Sequence, residues 1–567
     1  MSHTGADLFV EALSEYGITH LFGNPGTTEL PIMKAVGDGD VEYVLALHED
    51  VAVGMASGYA KTLRWHAYED GEAAALPVGV VNLHVAPGVA HGLGNMFDSG
   101  HIGTGAPIVV TAGAHGGDHQ HREPNLHADL VAMTDQFTKW SAEVKDVAAM
   151  PTMLRRAVRV AATPPTGPVF LALPFDVVTA ETDATPERLG SIPDAGDADP
   201  GAVADAADVV VEADDVVMIV GDLLARAGPR AVAAAVEFAE ASGARVHGEF
   251  RGSEVAFPTD HAAWGGGLPD DRERATELMA ADALVLAGTV SNVPTNPFDV
   301  PEGLPAGTTS VHVSNSAREL GKNYVADVAA LGDPGRILRR LAERISGRIS
   351  DAERARRVEA RMAPVPDDDS PAGSADGGDD GDGRPGASKA QLADAVVAAA
   401  PDARVVAEST TSVGALRARR DFAPGHFFNF RGGGLGYGLP AALGTALAEG
   451  TRDEPTEVIG FVGDGAYLYY DNAIYTAARY GIDLTVVVCD NRNYRILKDN
   501  TIAIFGGDDD DHEYVGMDFD PHVDIPKSAE SHGAASRQVT DPDAIRPAVA
   551  DALEEDGPTV LDVLIHD

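Results

Sequence analysis

The sequence predicts an α/β protein made of three doubly wound, parallel-sheet domains. Three observations carry that expectation. Short, continuous apolar runs recur along the chain, with the length and composition of strands buried on both faces of a parallel sheet. Segments of helical length separate them, the alternation that builds βαβ units. The alternation breaks at residues 364–388 (PVPDDDSPAGSADGGDDGDGRPGAS), where periodicity gives way to Asp, Gly, Pro and Ser.

Taken in order, a helix is expected over residues 7–16 and a strand over 20–23. A strand over 43–47 then leads into a helix starting at Glu49. Strands at 78–84, 107–113 and 169–174 complete a first domain, residues 1–185. The run VVVEADDVVMIVGD from Val209 belongs to a second alternating unit, residues 186–348, followed by an acidic linker over 349–388. The third domain, residues 389–567, has strands expected at 405–407, 458–462, 484–490 and 559–565, with a helix over 470–480. No internal repeat is visible residue by residue.

Composition narrows the function classes. Of 567 residues, 44% are hydrophobic, so large cores can form, yet the net charge is −46. Such a field repels nucleic acid and anionic membranes, which excludes a polyanion-binding role. The Asp bursts at 367–369 and 508–511 read as the hydrated surface of a protein from a halophile's high-salt cytoplasm. Cys489 is the single cysteine and lies in an apolar run, so it is expected to be a buried strand residue with no disulfide. No apolar stretch reaches the roughly 18–20 residues that span a membrane. The first residues lack the basic start of a secretory signal, so a cytoplasmic location is expected.

The densest chemical signal is Gly463-Asp464-Gly465 followed, after 25 residues, by Asn491-Arg492-Asn493. Both motifs end apolar strands, and a right-handed parallel βαβ unit sets such strand ends side by side. The Asp464 carboxylate and the Asn491 amide oxygen can then converge at the sheet edge where α/β proteins bind ligands. With a loop carbonyl from Asn493 they make half an octahedron of hard oxygen ligands, as Mg²⁺ prefers beside a phosphate. Gly465 lets the backbone come close, and the helix start offers N–H groups to a diphosphate. Alone, Gly-Asp-Gly would be a tight turn and Asn491 a helix cap; the spacing favours the metal reading.

This pattern resembles the thiamine-diphosphate motif of the decarboxylase and acetolactate-synthase superfamily. Residues 22–31 (FGNPGTTELP) resemble the first pyrimidine-domain loop, and Ala46-Leu47-His48-Glu49 with Gly58-Tyr59-Ala60 resembles the activating-glutamate segment. Asn82-Leu83-His84 resembles a strand end that offers an active-site histidine. Glu408-Ser409-Thr410 and the glycine-rich run 432–436 resemble the loops around the aminopyrimidine. The FGNPG loop, the NLH triplet and the KWS at Lys139 look most like benzoylformate decarboxylases.

The resemblance implies pyrimidine-binding, central and diphosphate-binding domains in that order. It implies thiamine diphosphate and Mg²⁺ as cofactors, a small 2-oxo acid as substrate, and active sites shared between subunits of a homodimer or homotetramer. Cofactor contacts fall to Thr410, Gly433, Leu435, Asp464, Gly465, Ala466, Asn491, Asn493 and Tyr494, with the metal on Asp464, Asn491 and Asn493. Glu49, His84 and Thr27 are the catalytic residues it implies. Glu49 would hold a proton at N1′ of the cofactor, against an apolar wall of Val51, Ala52, Val53, Met55 and Ala56 that raises its pKa. Leu435 would bend the cofactor, and the Gly433 carbonyl would accept from its 4′-amino group. His84 suits a proton shuttle, with a hydrogen-bonded strand-end histidine as the plain alternative. Thr27 stands where a small hydroxyl residue meets the substrate. The turn carrying His115, His119 and His121 either faces the pocket or is exposed.

Several departures narrow the substrate. Residues 288–295 (GTVSNVPT) contain no histidine where benzoylformate decarboxylases supply a second one, and Asn500 stands where they place an aromatic wall. The Arg-Phe-Asp-Asp-Arg run of the flavin-bearing synthases is missing, so FAD is not supported. Residues 64–77 (RWHAYEDGEAAALP) lengthen a short connection and read as an acidic surface insertion. The expected function is thiamine-diphosphate- and Mg²⁺-dependent, non-oxidative decarboxylation of a 2-oxo acid. The alternatives are an acetolactate-synthase-like carboligase and, from another class, a non-catalytic cofactor-binding or assembly protein. A nicotinamide dehydrogenase is excluded, since no strand is followed by G-x-G-x-x-G and a distal acid.

Overall fold

A computed structural model describes residues 3–70, 76–290, 293, 303–361 and 386–566. Three parallel sheets of six strands form, as the apolar runs require. The first contains β1 (His20–Gly23), β2 (Glu42–Leu45), β3 (Gly79–Leu83), β4 (Ile108–Ala114), β5 (Trp140–Glu143) and β6 (Val169–Pro174), in the order β2-β1-β3-β4-β6-β5. The second contains β7 (Val216–Val220), β8 (Arg245–Gly248), β9 (Trp264–Gly267), β10 (Ala283–Ala287), β11 (Thr309–Ser314) and β12 (Val328–Leu331), in the order β12-β11-β10-β7-β8-β9. The third contains β13 (Arg404–Glu408), β14 (Phe427–Asn429), β15 (Val458–Gly463), β16 (Leu484–Asp490), β17 (Ala535–Val539) and β18 (Pro558–Leu564), in the order β14-β13-β15-β16-β18-β17.

Renumbered within each sheet, the first and third share one order, 2-1-3-4-6-5, which the residues themselves conceal. The second is 3-2-1-4-5-6, the dinucleotide-fold order. Central strands such as β3, β4, β6, β7 and β16 are buried at every residue, whereas β5 is half-exposed throughout. Among the described residues no helix is long and apolar enough to cross a membrane.

Equivalent helices of the first and third domains pack on one another. Glu49–Asp70 lies against Gly438–Glu449 so closely that a Cβ on Gly58 would come within 2.0 Å of the Ala441 carbonyl oxygen. A Cβ on Gly444 would come within 1.9 Å of the Met55 carbonyl oxygen. Glycine is needed on both faces.

Three expectations need correction. The segment 64–77 is not a surface insertion up to residue 70, because the helix continues through it with Arg64, Trp65 and His66 buried. Arg64 Nη2 donates to both Glu254 carboxylate oxygens at 2.7 Å, Trp65 Nε1 donates to Glu254 at 3.1 Å, and His66 Nε2 lies 3.0 Å from Glu449. Those three side chains face other domains instead of water. Residues 71–75 lie outside the described residues. The segment expected as linker from 349 begins with the helix Asp351–Arg361. Buried Arg357 docks it, donating to the carbonyls of Val210, Ser242 and Ala213 at 3.4, 2.8 and 2.5 Å. One guanidinium thus serves the C-terminal ends of the helices Pro200–Glu212 and Pro229–Ser242, where a cation is favoured. Residues 362–385 of that linker lie outside the described residues. Finally, the helix expected over 470–480 begins only at Ala473 (Ala473–Tyr480), because Tyr470 (φ −142°, ψ 49°) ends a separate short helix, Asp464–Tyr469, that precedes it.

An ionic junction ties the domains together. Arg431 of the third domain donates to Asp222 at 2.7 Å, Glu249 at 2.6 Å and the Val290 carbonyl at 2.6 Å, all in the second. Arg226 bonds Asp222 at 3.1 Å and the Gly103 carbonyl of the first domain at 2.6 Å. Lys61 sits 3.8 Å from Glu254 and 4.4 Å from the Phe428 ring centre. Asp222, Glu249 and Glu254 are buried, so removing one partner leaves a charge stranded, at a cost of about 3–5 kcal/mol.

Candidate active site

The C-terminal end of the first sheet carries an acid–imidazole pair, with the acid buried and the imidazole half-buried. After β1 the chain turns through Thr27–Glu29 and buries Glu29 completely. Glu29 accepts from Gly26 N–H at 2.9 Å and Gly113 N–H at 3.1 Å, and its Oε2 lies 2.8 Å from His84 Nδ1. In the neutral imidazole, a carboxylate that only accepts places the proton on Nδ1 and leaves the lone pair on Nε2. His84 follows β3 directly, and the next residue, buried Val85, has φ +32°. That angle is a strained value for a β-branched residue. Gly26 lies under the imidazole, since a Cβ there would be 2.0 Å from His84 Nδ1. Thr27 is exposed on the same turn. Glu29 is among the residues that reading the sequence missed; its place in the GTTE turn is visible, but its partner 55 positions away is not.

Glu49 opens its helix and is 8% exposed. The expected apolar wall is buried in the core of the domain. The carboxylate meets a histidine, with Oε2 3.1 Å from His91 Nδ1, and Gly88 lies close beside it. Its neighbour Asp50 accepts from Asn95 N–H at 2.7 Å and from the Tyr470 hydroxyl at 3.0 Å, which joins the first and third domains. Burial pushes Asp50 up to about 6.

In the third domain the glycine-rich run 432–436 is stitched down from several sides. Glu408, at the end of β13, accepts from Gly436 N–H at 2.8 Å and Gly438 N–H at 2.6 Å, and burial pushes it up to about 7. Asp98 of the first domain lies beneath Gly432, where a Cβ would fall 1.8 Å from its Oδ1. Burial first, then the charges of Glu408 and Asp50, push Asp98 up to about 8. Gly433 has φ +87° with open space beside it, and Leu435 packs half-buried on the core. Thr410 and Gly433 line one cavity of about 570 Å³ with Asp222, Glu249 and Arg431.

Parallel pairing of Gly463 with Cys489 sets Asp464 beside Asp490, with Asn491 one residue further. Asp464 Oδ1 accepts from Gly465 N–H at 2.8 Å, while Oδ2 is buried with no hydrogen bond. Burial, then the charge of Asp490, pushes Asp464 up to about 8. Asn493 N–H donates to Asn491 Oδ1 at 3.3 Å, and Asn493 Nδ2 to the Asn491 carbonyl at 2.6 Å. An orphaned carboxylate oxygen at the end of β15, with Asn491 and Asn493 just past the end of neighbouring β16, is a donor set that fits Mg²⁺, whose charge would offset the cost of burying Asp464. Gly465 differs from expectation. The space a Cβ would need is taken by the Tyr494 ring, 2.5 Å away, which also packs on Phe519 at 4.8 Å. Ala466 is buried behind it.

The remaining expectations divide. His115 lines a cavity of about 830 Å³ with Val85, Gln120 and His127, whereas His119 and His121 are exposed. Cys489 is buried. Asn500 lies half-buried in the helix Arg495–Phe505. Of the segment 288–295, residues 291, 292, 294 and 295 lie outside the described residues.

Comparison with known proteins identifies the family. The N-terminal TPP binding domain of thiamine pyrophosphate enzymes matches residues 3–138, the central domain 203–341 and the C-terminal TPP binding domain 409–563. The chain is 30% identical to benzoylformate decarboxylase of Pseudomonas aeruginosa over 558 residues, 98% of this chain and 97% of that one. It is 26% identical to the acetolactate synthase large subunit of Parasynechococcus marenigrum over 608 residues, 99% of this chain and 88% of that one. The solved thiamine diphosphate-dependent 4-hydroxybenzoylformate decarboxylase of Rhodococcus jostii superposes with a TM-score of 0.82 at 28% identity, covering 99% of each chain. The chain belongs to the thiamine pyrophosphate enzyme family.

Proposed function

We propose that the protein is a Mg²⁺- and thiamine-diphosphate-dependent decarboxylase of a 2-oxo acid. The observation that carries this is the contact of His84 Nδ1 with buried Glu29, which fixes the imidazole at the strand end. Thiamine diphosphate, when bound, supplies a nucleophilic carbon and an electron sink for the loss of CO₂ from a 2-oxo acid. Asp464, Asn491 and Asn493 hold the metal, and the Ala466 N–H is offered to the diphosphate beside Tyr494, while Gly465 N–H holds Asp464 in place. Thr410, Gly433 and Leu435 orient the pyrimidine half. Glu49 holds the proton that cofactor activation needs, and His84 exchanges protons with substrate and product near Thr27. Glu408, Asp98 and Arg431 are positioning residues, because they fix the glycine-rich run without reaching the reacting atoms.

Exposed Leu47 and Tyr469, flanking the Asp50–Tyr470 contact, support a second copy covering this face, as a shared active site requires. The charge of −46 supports work in a salt-rich cytoplasm. The test is purified protein in molar KCl with thiamine diphosphate and Mg²⁺, given aliphatic and aryl 2-oxo acids. CO₂ with aldehyde is the expected result. Acetolactate as the main product would assign the chain to the carboligases, and no turnover of any acid would refute both.

A further inference from the structure

His48, Glu49 and His91 each offer a metal-ligating atom, and the three atoms lie within 4.8 Å of one another. Glu49 Oε2 and His91 Nδ1 are 3.1 Å apart. Two ligands of a tetrahedral zinc at the usual bond lengths stand roughly 3.3 Å apart. The His48 and His91 rings are 5.3 Å apart and tilted by 31°, and His48 is held against the Tyr470 ring at 4.8 Å. His91 is 58% exposed, so an ion can enter from solvent. Two imidazoles and one carboxylate suit Zn²⁺, and suit Mg²⁺ poorly because it takes oxygen ligands in an octahedron.

We infer that His48, Glu49 and His91 form a zinc-binding site whose occupation and cofactor binding exclude one another. The exclusion rests on the reading of Glu49 as the group beside the cofactor, because a carboxylate ligating Zn²⁺ cannot also hold the activating proton. Coordination has a built-in cost. His48 Nδ1 accepts a hydrogen bond from Asp50 N–H at 3.1 Å. That bond is lost whichever ring nitrogen binds, since coordination through Nε2 moves the proton to Nδ1. The site is therefore suited to reversible occupation, with three protein ligands and an open fourth position.

The test is calorimetric titration of the apoprotein in molar KCl with zinc chloride alone, with cobalt as a visible reporter of tetrahedral geometry. One zinc per chain is expected. His91→Ala and His48→Gln should each weaken binding at least about tenfold, the smaller loss seen even for outer partners of metal sites. Exposed His119→Ala should leave it unchanged, and circular dichroism identifies any variant that fails to fold. If no site of unit stoichiometry is found, or if it ignores both histidine variants, the metal site is refuted. Preloading with thiamine diphosphate and Mg²⁺ should suppress zinc uptake. Equal uptake by the loaded enzyme would refute the exclusion and the placing of Glu49, while the products made by zinc-free enzyme judge the decarboxylase reading separately.

Discussion

The first and third domains have the same strand order and pack through equivalent helices, yet their strand ends carry different chemistry. After its third strand the first domain places His84 against buried Glu29; after the equivalent strand the third domain places Asp464 beside Asp490. After its second strand the first domain places Glu49, where the third places the glycine-rich run. Topology fixes where ligands meet these sheets, and a few strand-end side chains give each sheet its own chemistry. The first domain offers proton-handling groups, and the third offers hard oxygens and backbone.

That division can be broken by three substitutions. Glu49→Gln keeps the shape of the proton-handling end but not its proton. Turnover should fall by about 10²–10⁴-fold while cofactor affinity changes little. Hydrogen–deuterium exchange at C2 of the cofactor, as fast as in the unmodified enzyme, would remove Glu49 from activation. Asp464→Ala acts on the opposite end and should weaken cofactor binding in Mg²⁺ by about 10–100-fold, with little effect when Mg²⁺ is left out. Calorimetric titration with and without the metal separates the two cases, and equal affinity in Mg²⁺ would break the assignment.

Asp98→Asn probes the contact between the two domains and has the smallest effect. Folded Asp98 titrates near 8, whereas an unfolded aspartate titrates at about 3.9. The folded protein therefore holds a proton that the unfolded chain releases between these values. The stabilisation this group gives is complete below about pH 4 and is lost as the pH rises through 8, by at most about 1.4 kcal/mol per unit. Asparagine has no proton to lose, so the variant should gain on the parent with each step from pH 6 to 8. Parallel urea midpoints over that range would show that Asp98 is not held protonated.

What could be read from the sequence was local or periodic. The buried strands announce themselves as apolar runs, and the Gly-Asp-Gly to Asn spacing survives because a βαβ unit makes it geometric. The groups missed depend on distant partners. Arg431 meets Asp222 across 209 residues, and Glu29 meets His84 across 55. The stretch RWHAYED looked like surface because charge usually means water, and only the assembled domains show Glu254 and Glu449 waiting for it. β5 (WSAE) escaped notice as a half-exposed edge strand without an apolar run, and Asp351–Arg361 because its docking rests on one arginine.

The buried ionic junction has a consequence for solvent conditions. The Debye length falls from about 8 Å at 0.15 M salt to about 3 Å at 1 M, but that screening acts on charges in water and much less on buried ones. Brine therefore quiets the repulsion among the surface carboxylates of a chain with charge −46. It leaves Arg431, Asp222, Glu249, Arg64 and Glu254 at nearly full strength, because the fold has shut the electrolyte out. The same molecule thus carries two sets of charges with opposite sensitivities, and added salt weakens the set that pushes the domains apart while sparing the set that holds them together.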